Sequence, residues 1–126
     1  MTIRQIPRER WPDELDSFSR QHEGWLVSLK VTQPDGDTAI EAHDLPLLGV
    51  SRASPRSDDI AIAVGDGPAH VTHEVHNPTG LAVDLTSEGA ERALLIRGQD
   101  GTTTSVEFRS PMRAEDVDGL PAFDRE

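Results

Sequence analysis

Residues 25–32 read Trp-Leu-Val-Ser-Leu-Lys-Val-Thr, and Trp25, Val27, Leu29 and Val31 occupy every second position in this stretch. A period of two places these four side chains on one face of a β-strand and the remaining side chains on the other. The pattern therefore predicts a half-buried strand, and the neighbouring sequence shows how that strand is paired.

A turn and a partner strand follow directly. Pro34 presets φ and Gly36 accepts a positive φ, so the Pro-Asp-Gly sequence predicts a turn. Residues 38–43 then supply the second strand of a hairpin. The clearest hairpin lies near the other end of the chain, where a Gln-Asp-Gly turn leads into an alternating strand over residues 102–109.

Short apolar runs repeat this pattern between the two hairpins. Roughly six or seven short strands, with a turn about every ten residues, predict an antiparallel meander that forms a curled sheet or a small barrel. Alternating strand and helix units, which are typical of a parallel sheet, are absent from the pattern. The additional strands are predicted near residues 60–64, 71–75, 81–85 and 94–96.

One helix is predicted before the first strand. Trp11, Leu15 and Phe18 are spaced i, i+4 and i+7, which makes a single apolar stripe on a helix. Pro12 suits the first helical position, and the acidic residues after it favour the positive end of the helix dipole. The helix is expected to run from about Pro12 to about His22 and to pack on the sheet, which gives a mainly β (α+β) fold.

The length and composition fit one domain. The chain has 126 residues, of which 35% are hydrophobic, and this suits a single hydrophobic core. We expect a β-rich domain over residues 1–119 and an acidic tail over residues 120–126. No apolar run approaches the roughly 20 residues of a membrane helix, and the first residues do not resemble a signal peptide. A cytoplasmic location without membrane association is therefore expected.

The charge balance is strongly acidic, with 23 Asp and Glu against 12 Lys and Arg and a formal net charge of -11. Such a surface repels nucleic-acid phosphates and anionic lipids, so neither is expected as a partner. The acidity can serve solubility alone, or it can favour a basic partner. The absence of cysteine excludes disulfides, thiolate metal sites and cysteine nucleophiles.

Three histidines, His70, His73 and His76, are close enough in sequence to suggest a metal site. In a strand, however, His70 and His76 lie about 20 Å apart on one face, and His73 points to the other face. No metal site is therefore predicted. His73 lies between Val71 and Val75 on the expected core face, where an imidazole serves as a poised base or, more often, as a core histidine hydrogen-bonded to the backbone.

The junction between the predicted helix and the first strand holds His22 and Trp25. These rings and the carboxylate of Glu23 could converge on a ligand, with His73 as a third candidate on the core face. The same residues could instead serve helix capping and packing. The candidates for a small-ligand pocket are therefore His22, Trp25 and His73.

Two apolar stretches are candidates for contacts with other proteins. One surrounds Pro46, which cannot donate to a sheet ladder and so predicts an edge or a bend. The other is an apolar patch within the acidic tail. Unpaired edges and exposed apolar patches both favour association. The candidate contact residues are Leu45, Leu47, Leu48, Leu120 and Phe123.

The absence of common catalytic motifs from the sequence favours a non-enzymatic domain over an enzyme. The sequence has no Gly-x-Ser-x-Gly nucleophile elbow, no phosphate-binding Gly-rich loop with lysine, no His-Glu-x-x-His motif and no dinucleotide fingerprint. No catalytic residue and no cofactor is therefore predicted. The leading hypothesis is a cytoplasmic domain that binds a protein partner or a second copy of itself. The alternative is a small-ligand-binding barrel or a small enzyme that uses the pocket candidates.

Three stretches of the chain carry a family resemblance. Residues 11–25 end in Ser-Arg-Gln-His-Glu-Gly-Trp, residues 44–50 read Asp-Leu-Pro-Leu-Leu-Gly-Val, and residues 100–111 begin with Asp-Gly-Thr-Thr and end with Phe-Arg-Ser-Pro. They resemble a family of small prokaryotic domains of unknown function, over about residues 3–119. The resemblance implies a stand-alone cytoplasmic domain. It implies no activity, ligand or catalytic residue.

Overall fold

The computed structural model describes residues 2–54, 56–66 and 68–112, and these contain eight strands, one α-helix and a short 3-10 turn. The predicted helix is confirmed to within one residue at its start. The elements, in chain order, are β1 (Thr2–Gln5), the 3-10 turn (Arg8–Arg10), α1 (Trp11–His22), β2 (Leu26–Thr32), β3 (Thr38–Arg52), β4 (Ile60–Asp66), β5 (Ala69–Val75), β6 (Pro78–Leu85), β7 (Glu91–Gly98) and β8 (Thr103–Met112).

All strand pairs are antiparallel, and the strand order is β1-β6-β7-β8-β2-β3-β4-β5. The mainly β fold with one helix packed on an antiparallel sheet is confirmed. The sheet is not closed into a barrel, since β1 and β5 are its two edges. It is also not one continuous meander, because β8 pairs with β2 and thereby joins a β2–β5 meander to a β6–β8 meander.

The strand count is eight because of β1, which the sequence does not reveal. Every side chain of β1 is exposed, so this strand has no alternating apolar pattern. It is held by its backbone, which pairs with β6 from Thr2 opposite Leu85 to Gln5 opposite Ala82. Backbone pairing does not require particular residue types, so a strand of this kind cannot be recognised from its sequence.

The stretch around Pro46 lies inside the sheet, so the prediction of an edge or a bend in place of a central strand is wrong. It belongs to the 15-residue strand β3, whose first part pairs with β2 and whose second part pairs with β4. Register shifts occur between Val27 and Leu29 on β2 and between Leu47 and Gly49 on β3. Such irregularities bend a strand, and they tolerate a proline that lacks an N–H.

Helix α1 covers one face of the sheet with its apolar stripe. Trp11, Leu15, Phe18 and His22 are its buried residues, and the three apolar ones match the predicted i, i+4, i+7 pattern. Ser19 fixes the helix to β3, because its hydroxyl donates to the Val50 carbonyl and accepts from the Val50 N–H, both at 2.8 Å. Within the described ranges no helix is both long and apolar enough to span a bilayer.

The core forms between α1 and the inner faces of the strands. Alternate residues on neighbouring strands supply its fully enclosed side chains, as expected from the strand period of two. Burial of each large aliphatic side chain contributes about 1.5–3 kcal/mol relative to exposure. The side chains with no measurable exposure are Val27, Leu29, Leu47, Ile60, Ile62, Val64, Ile96 and Val106.

Candidate functional site

The predicted junction residues His22 and Trp25 lie together in an aromatic cluster at the end of α1. The His22 ring stacks on Phe108 with 4.6 Å between centroids and lies 4.5 Å from the Phe18 ring. Trp25 meets His22 edge-on at 5.0 Å. The side chain of His22 is only 1% exposed, so the cluster encloses the imidazole almost completely.

The polar atoms of His22 require a proton between this residue and Glu91. Its Nδ1 lies 2.9 Å from the Phe18 carbonyl oxygen, which only accepts, so Nδ1 carries a hydrogen and donates. Its Nε2 lies 3.0 Å from Glu91 Oε1. Neither of these two facing atoms has another hydrogen-bond partner in the structure as described. A bare Nε2 and a carboxylate are both acceptors, so the contact is stable only when one proton lies between them.

The cavity beside this pair is small. It is lined by Phe18, Glu91 and side chains of β1, β6 and α1, and its volume is about 30 Å³. That volume holds about one water molecule. The cavity has no room for a substrate, and of the two residues in the pair only Glu91 lines it.

His73, the third pocket candidate, lies elsewhere. It is on β5, opposite Ile62 of β4, on the same face as Val71 and Val75. This face is the predicted one, but His73 is only partly buried, because β5 is the last strand of the sheet in the part of the chain that the structure describes. Among the described residues its side chain has neither a hydrogen bond nor a contact with His22 or Trp25. The three candidates therefore do not share one pocket.

His76 forms a polar cluster with Asp59 and Glu74 that no motif in the sequence indicates. Its Nδ1 lies 2.8 Å from Asp59 Oδ2, and Asp59 Oδ1 accepts the Asn77 N–H at 2.9 Å. One ligand-type atom from each of His76, Asp59 and Glu74 lies within 4.8 Å of the other two. His70 and His73 are outside this cluster, as the strand geometry predicts.

These contacts change the pKa values of both partners. The N–H of Asn77, followed by the His76 imidazole, holds the pKa of Asp59 below its usual value. The hydrogen bond to Asp59 raises the pKa of His76, with weaker help from the charges of Asp59 and Glu74. The pKa shift of Asp59 could not be predicted from the sequence, because its partner His76 is known only once the β4–β5 register is known.

The Asp59–His76 pair leads to a first prediction. Asp59→Asn removes the carboxylate that stabilises the imidazolium, so the pKa of His76 is expected to fall toward its ordinary value. Asp58→Asn is the matched control, because Asp58 pairs with Arg8 at 2.6 Å and not with His76. Proton NMR titration of the His76 ring measures both effects. Equal His76 titration curves in the wild type and Asp59→Asn would contradict the assignment.

A polar surface groove adjoins this cluster. Its volume is about 510 Å³, and Arg8, which lines it, pairs with Asp58 and also lies over the face of Trp11. The guanidinium of Arg8 lies 4.6 Å from the indole centroid, which is within cation–π range. The groove is open to solvent and is lined by side chains from the 3-10 turn and from the loops before β4 and β6.

The predicted contact residues differ widely in exposure. Leu47 has no exposure and belongs to the core, so it is not available for contacts with a partner, contrary to its selection from the sequence. Leu45 is partly buried and packs against the core, whereas Leu48 is 50% exposed. Leu120 and Phe123, and with them the predicted acidic tail, lie outside the described residues.

Comparison with known proteins identifies the family and no activity. No curated protein and no solved structure matches the chain. A family model matches residues 2–117, which include all described elements from β1 to β8. The chain therefore belongs to this family, a family of unknown function (DUF5335).

Proposed function

We propose that this domain acts by binding a protein, and that the partner adds an extended segment to the free edge of β5. The observation that carries the proposal is the exposure of the inner face at this edge. Val71 and His73 point to the core side and yet stay partly exposed, while Val75 beside them is buried. An added strand would cover both side chains and extend the core by one strand.

The backbone of β5 is suited to such pairing. The strand has seven residues and pairs only with β4 among the described elements. Edge strands present unpaired N–H and C=O groups, which pair readily with another extended chain unless they are blocked. Proline and lysine, two residues that commonly block edges, are absent from residues 69–75. The other edge, β1, has only four residues and offers fewer backbone groups.

The charge of the chain favours a basic partner over a second copy. The net charge is -11, so two copies repel each other while a basic segment is attracted. Glu74 is exposed on β5 and can pair with a cation on a neighbouring strand. The partner class is therefore an extended basic peptide segment of another protein.

The test compares two lysine substitutions on the same strand. Val71→Lys places a charge on the inner face, where an added strand would bury it, whereas Thr72→Lys places the same charge on the outer face. Random peptides selected by display on the immobilised domain are expected to be basic and to protect β5 amides from hydrogen exchange. Val71→Lys is expected to weaken their binding at least about tenfold, which is about 1.4 kcal/mol.

The control and the contrary outcomes are distinct. Thr72→Lys is expected to change peptide affinity much less than Val71→Lys. Circular dichroism checks that both variants keep the fold. Protection that appears away from residues 69–75, or equal affinities for the two variants, would contradict the proposal. A dimer in analytical ultracentrifugation that Val71→Lys abolishes would assign the edge to a second copy.

A further inference from the structure

We propose that Asp59, Glu74 and His76 form a binding site for a divalent first-row transition ion, with zinc as the expected occupant. The site lies at the open end of the β4–β5 hairpin, on the outer face of the sheet. It shares Glu74 with the proposed strand addition, which otherwise concerns the backbone edge and the inner face of β5.

The strand register brings the three residues together. Ile60 pairs with Val75 and Ala61 pairs with Glu74, so Asp59 comes next in register opposite His76. Glu74 and His76 are two residues apart and project to the same side of the chain. The three ligand atoms consequently lie within 4.8 Å of one another, although they come from two separate segments.

Contacts around the cluster orient the ligands. The Asn77 N–H holds Asp59 Oδ1 at 2.9 Å and thereby directs Oδ2 toward His76. Hydrogen bonds of this kind to ligating carboxylates are typical of metal sites. The adjacent carboxylate of Asp58 pairs with Arg8 at 2.6 Å and is not part of the cluster.

The chemistry of the donor set selects the class of ion. One imidazole nitrogen with two carboxylate oxygens suits zinc and its neighbours, whereas calcium and magnesium prefer oxygen ligands throughout. Two carboxylates balance the charge of a divalent ion. Three protein ligands leave a fourth tetrahedral position for water, which is the arrangement of an open site.

The ligand atoms need only small movements to bind an ion. Bonds of about 2.1 Å in a tetrahedral site place ligand atoms roughly 3.4 Å apart. The Nδ1–Oδ2 hydrogen bond of 2.8 Å would therefore widen slightly, and Glu74 would move inward. Glu74 and His76 are exposed, so their side chains can rotate without disturbing the core. We expect affinity on the order of micromolar, weaker than in closed four-ligand sites.

The proposed site differs from the prediction made from the sequence in the residues that supply its ligands. The three histidines drew attention to this strand, and the conclusion that they cannot share an ion agrees with their positions. The prediction of no metal site also followed because nothing in the sequence indicated a carboxylate from another strand as a partner for one histidine. Only His76 takes part, and its partners are carboxylates, one of which precedes the neighbouring strand.

The test is calorimetric titration of zinc into the full chain. One zinc site is expected, and Glu74→Gln and His76→Ala are each expected to weaken it at least tenfold. His70→Ala is the matched control, because His70 is also exposed on β5 and lies outside the cluster. Circular dichroism verifies the fold of each variant. His76→Ala could disturb the end of β5, and Glu74→Gln then still tests the site. The Glu74 side chain has no hydrogen bond among the described contacts, so its replacement is not expected to disturb the fold.

Two results of these measurements would contradict the proposed site, and one would support it. Absence of zinc binding in the wild type, or an equal loss of affinity in His70→Ala and His76→Ala, overturns the site. Displacement of zinc by a hundredfold excess of calcium overturns the assignment of the ion class. Broadening or shift of the His76 ring signals on addition of zinc, with the His70 signals unchanged, supports it.

Discussion

Leu47→Ala is expected to lower the free energy of unfolding by about 2–5 kcal/mol. Leu47 has no solvent exposure and lies in the core. Removing its terminal carbons loses apolar burial and leaves a cavity that rigid neighbours fill only partly. Its backbone contacts to Gly24 and Trp25, both 2.8 Å, do not depend on the side chain and are expected to persist. Urea denaturation measures the loss.

Leu48→Ala is the matched control for this effect. Leu48 is the next residue on β3 and is 50% exposed, so the same change is expected to shift stability by about 0.5 kcal/mol or less. Against an ordinary free energy of unfolding of about 5–15 kcal/mol, the loss in Leu47→Ala is a large fraction and the loss in Leu48→Ala a small one. Similar denaturation midpoints for the two variants would mean that β3 is not packed as an interior strand.

The pair of leucines also shows what periodicity predicts and where it fails. Alternation identified the strands with one buried face, and i, i+4, i+7 spacing identified α1. Both patterns arise because burial follows the geometry of the backbone. Around Pro46 the alternation is disturbed by a register shift. The pattern therefore assigns no reliable face to Leu47 or Leu48, and the stretch resembles an edge.

The candidate sites depend on register, which residue type specifies weakly. Asp59 meets His76, and His22 meets Glu91, across distances along the chain that no local motif spans. The sequence selected His22 correctly as a residue of the helix–strand junction, but it could not supply the acidic partner. His73 was placed on the correct face, yet its exposure depends on the strand order, because only an edge strand leaves the inner face uncovered.

Glu91→Leu is expected to destabilise the fold by about 3 kcal/mol, because it leaves one member of a buried polar pair without its partner. Glu91 is 13% exposed at its side chain and His22 is 1% exposed, so water cannot fully replace the lost contact. The side chain of Arg4 lies 4.0 Å from Glu91 and is about half exposed. An exposed ion pair of this kind contributes little to the stability lost in Glu91→Leu. Chemical denaturation near neutral pH measures the effect.

Two further variants test whether loss of the proton shared by His22 and Glu91 causes the destabilisation expected in Glu91→Leu. Glu91→Gln offers an amide N–H to an unprotonated Nε2 of His22, so it is expected to retain most of the stability that Glu91→Leu loses. The double variant His22→Leu/Glu91→Leu removes both polar groups, and it is expected to be more stable than Glu91→Leu alone, because paired replacement leaves nothing buried and unsatisfied. If Glu91→Gln were as damaging as Glu91→Leu, or if the two leucine substitutions were additive, the contact would be one of packing and not of a proton held between His22 and Glu91.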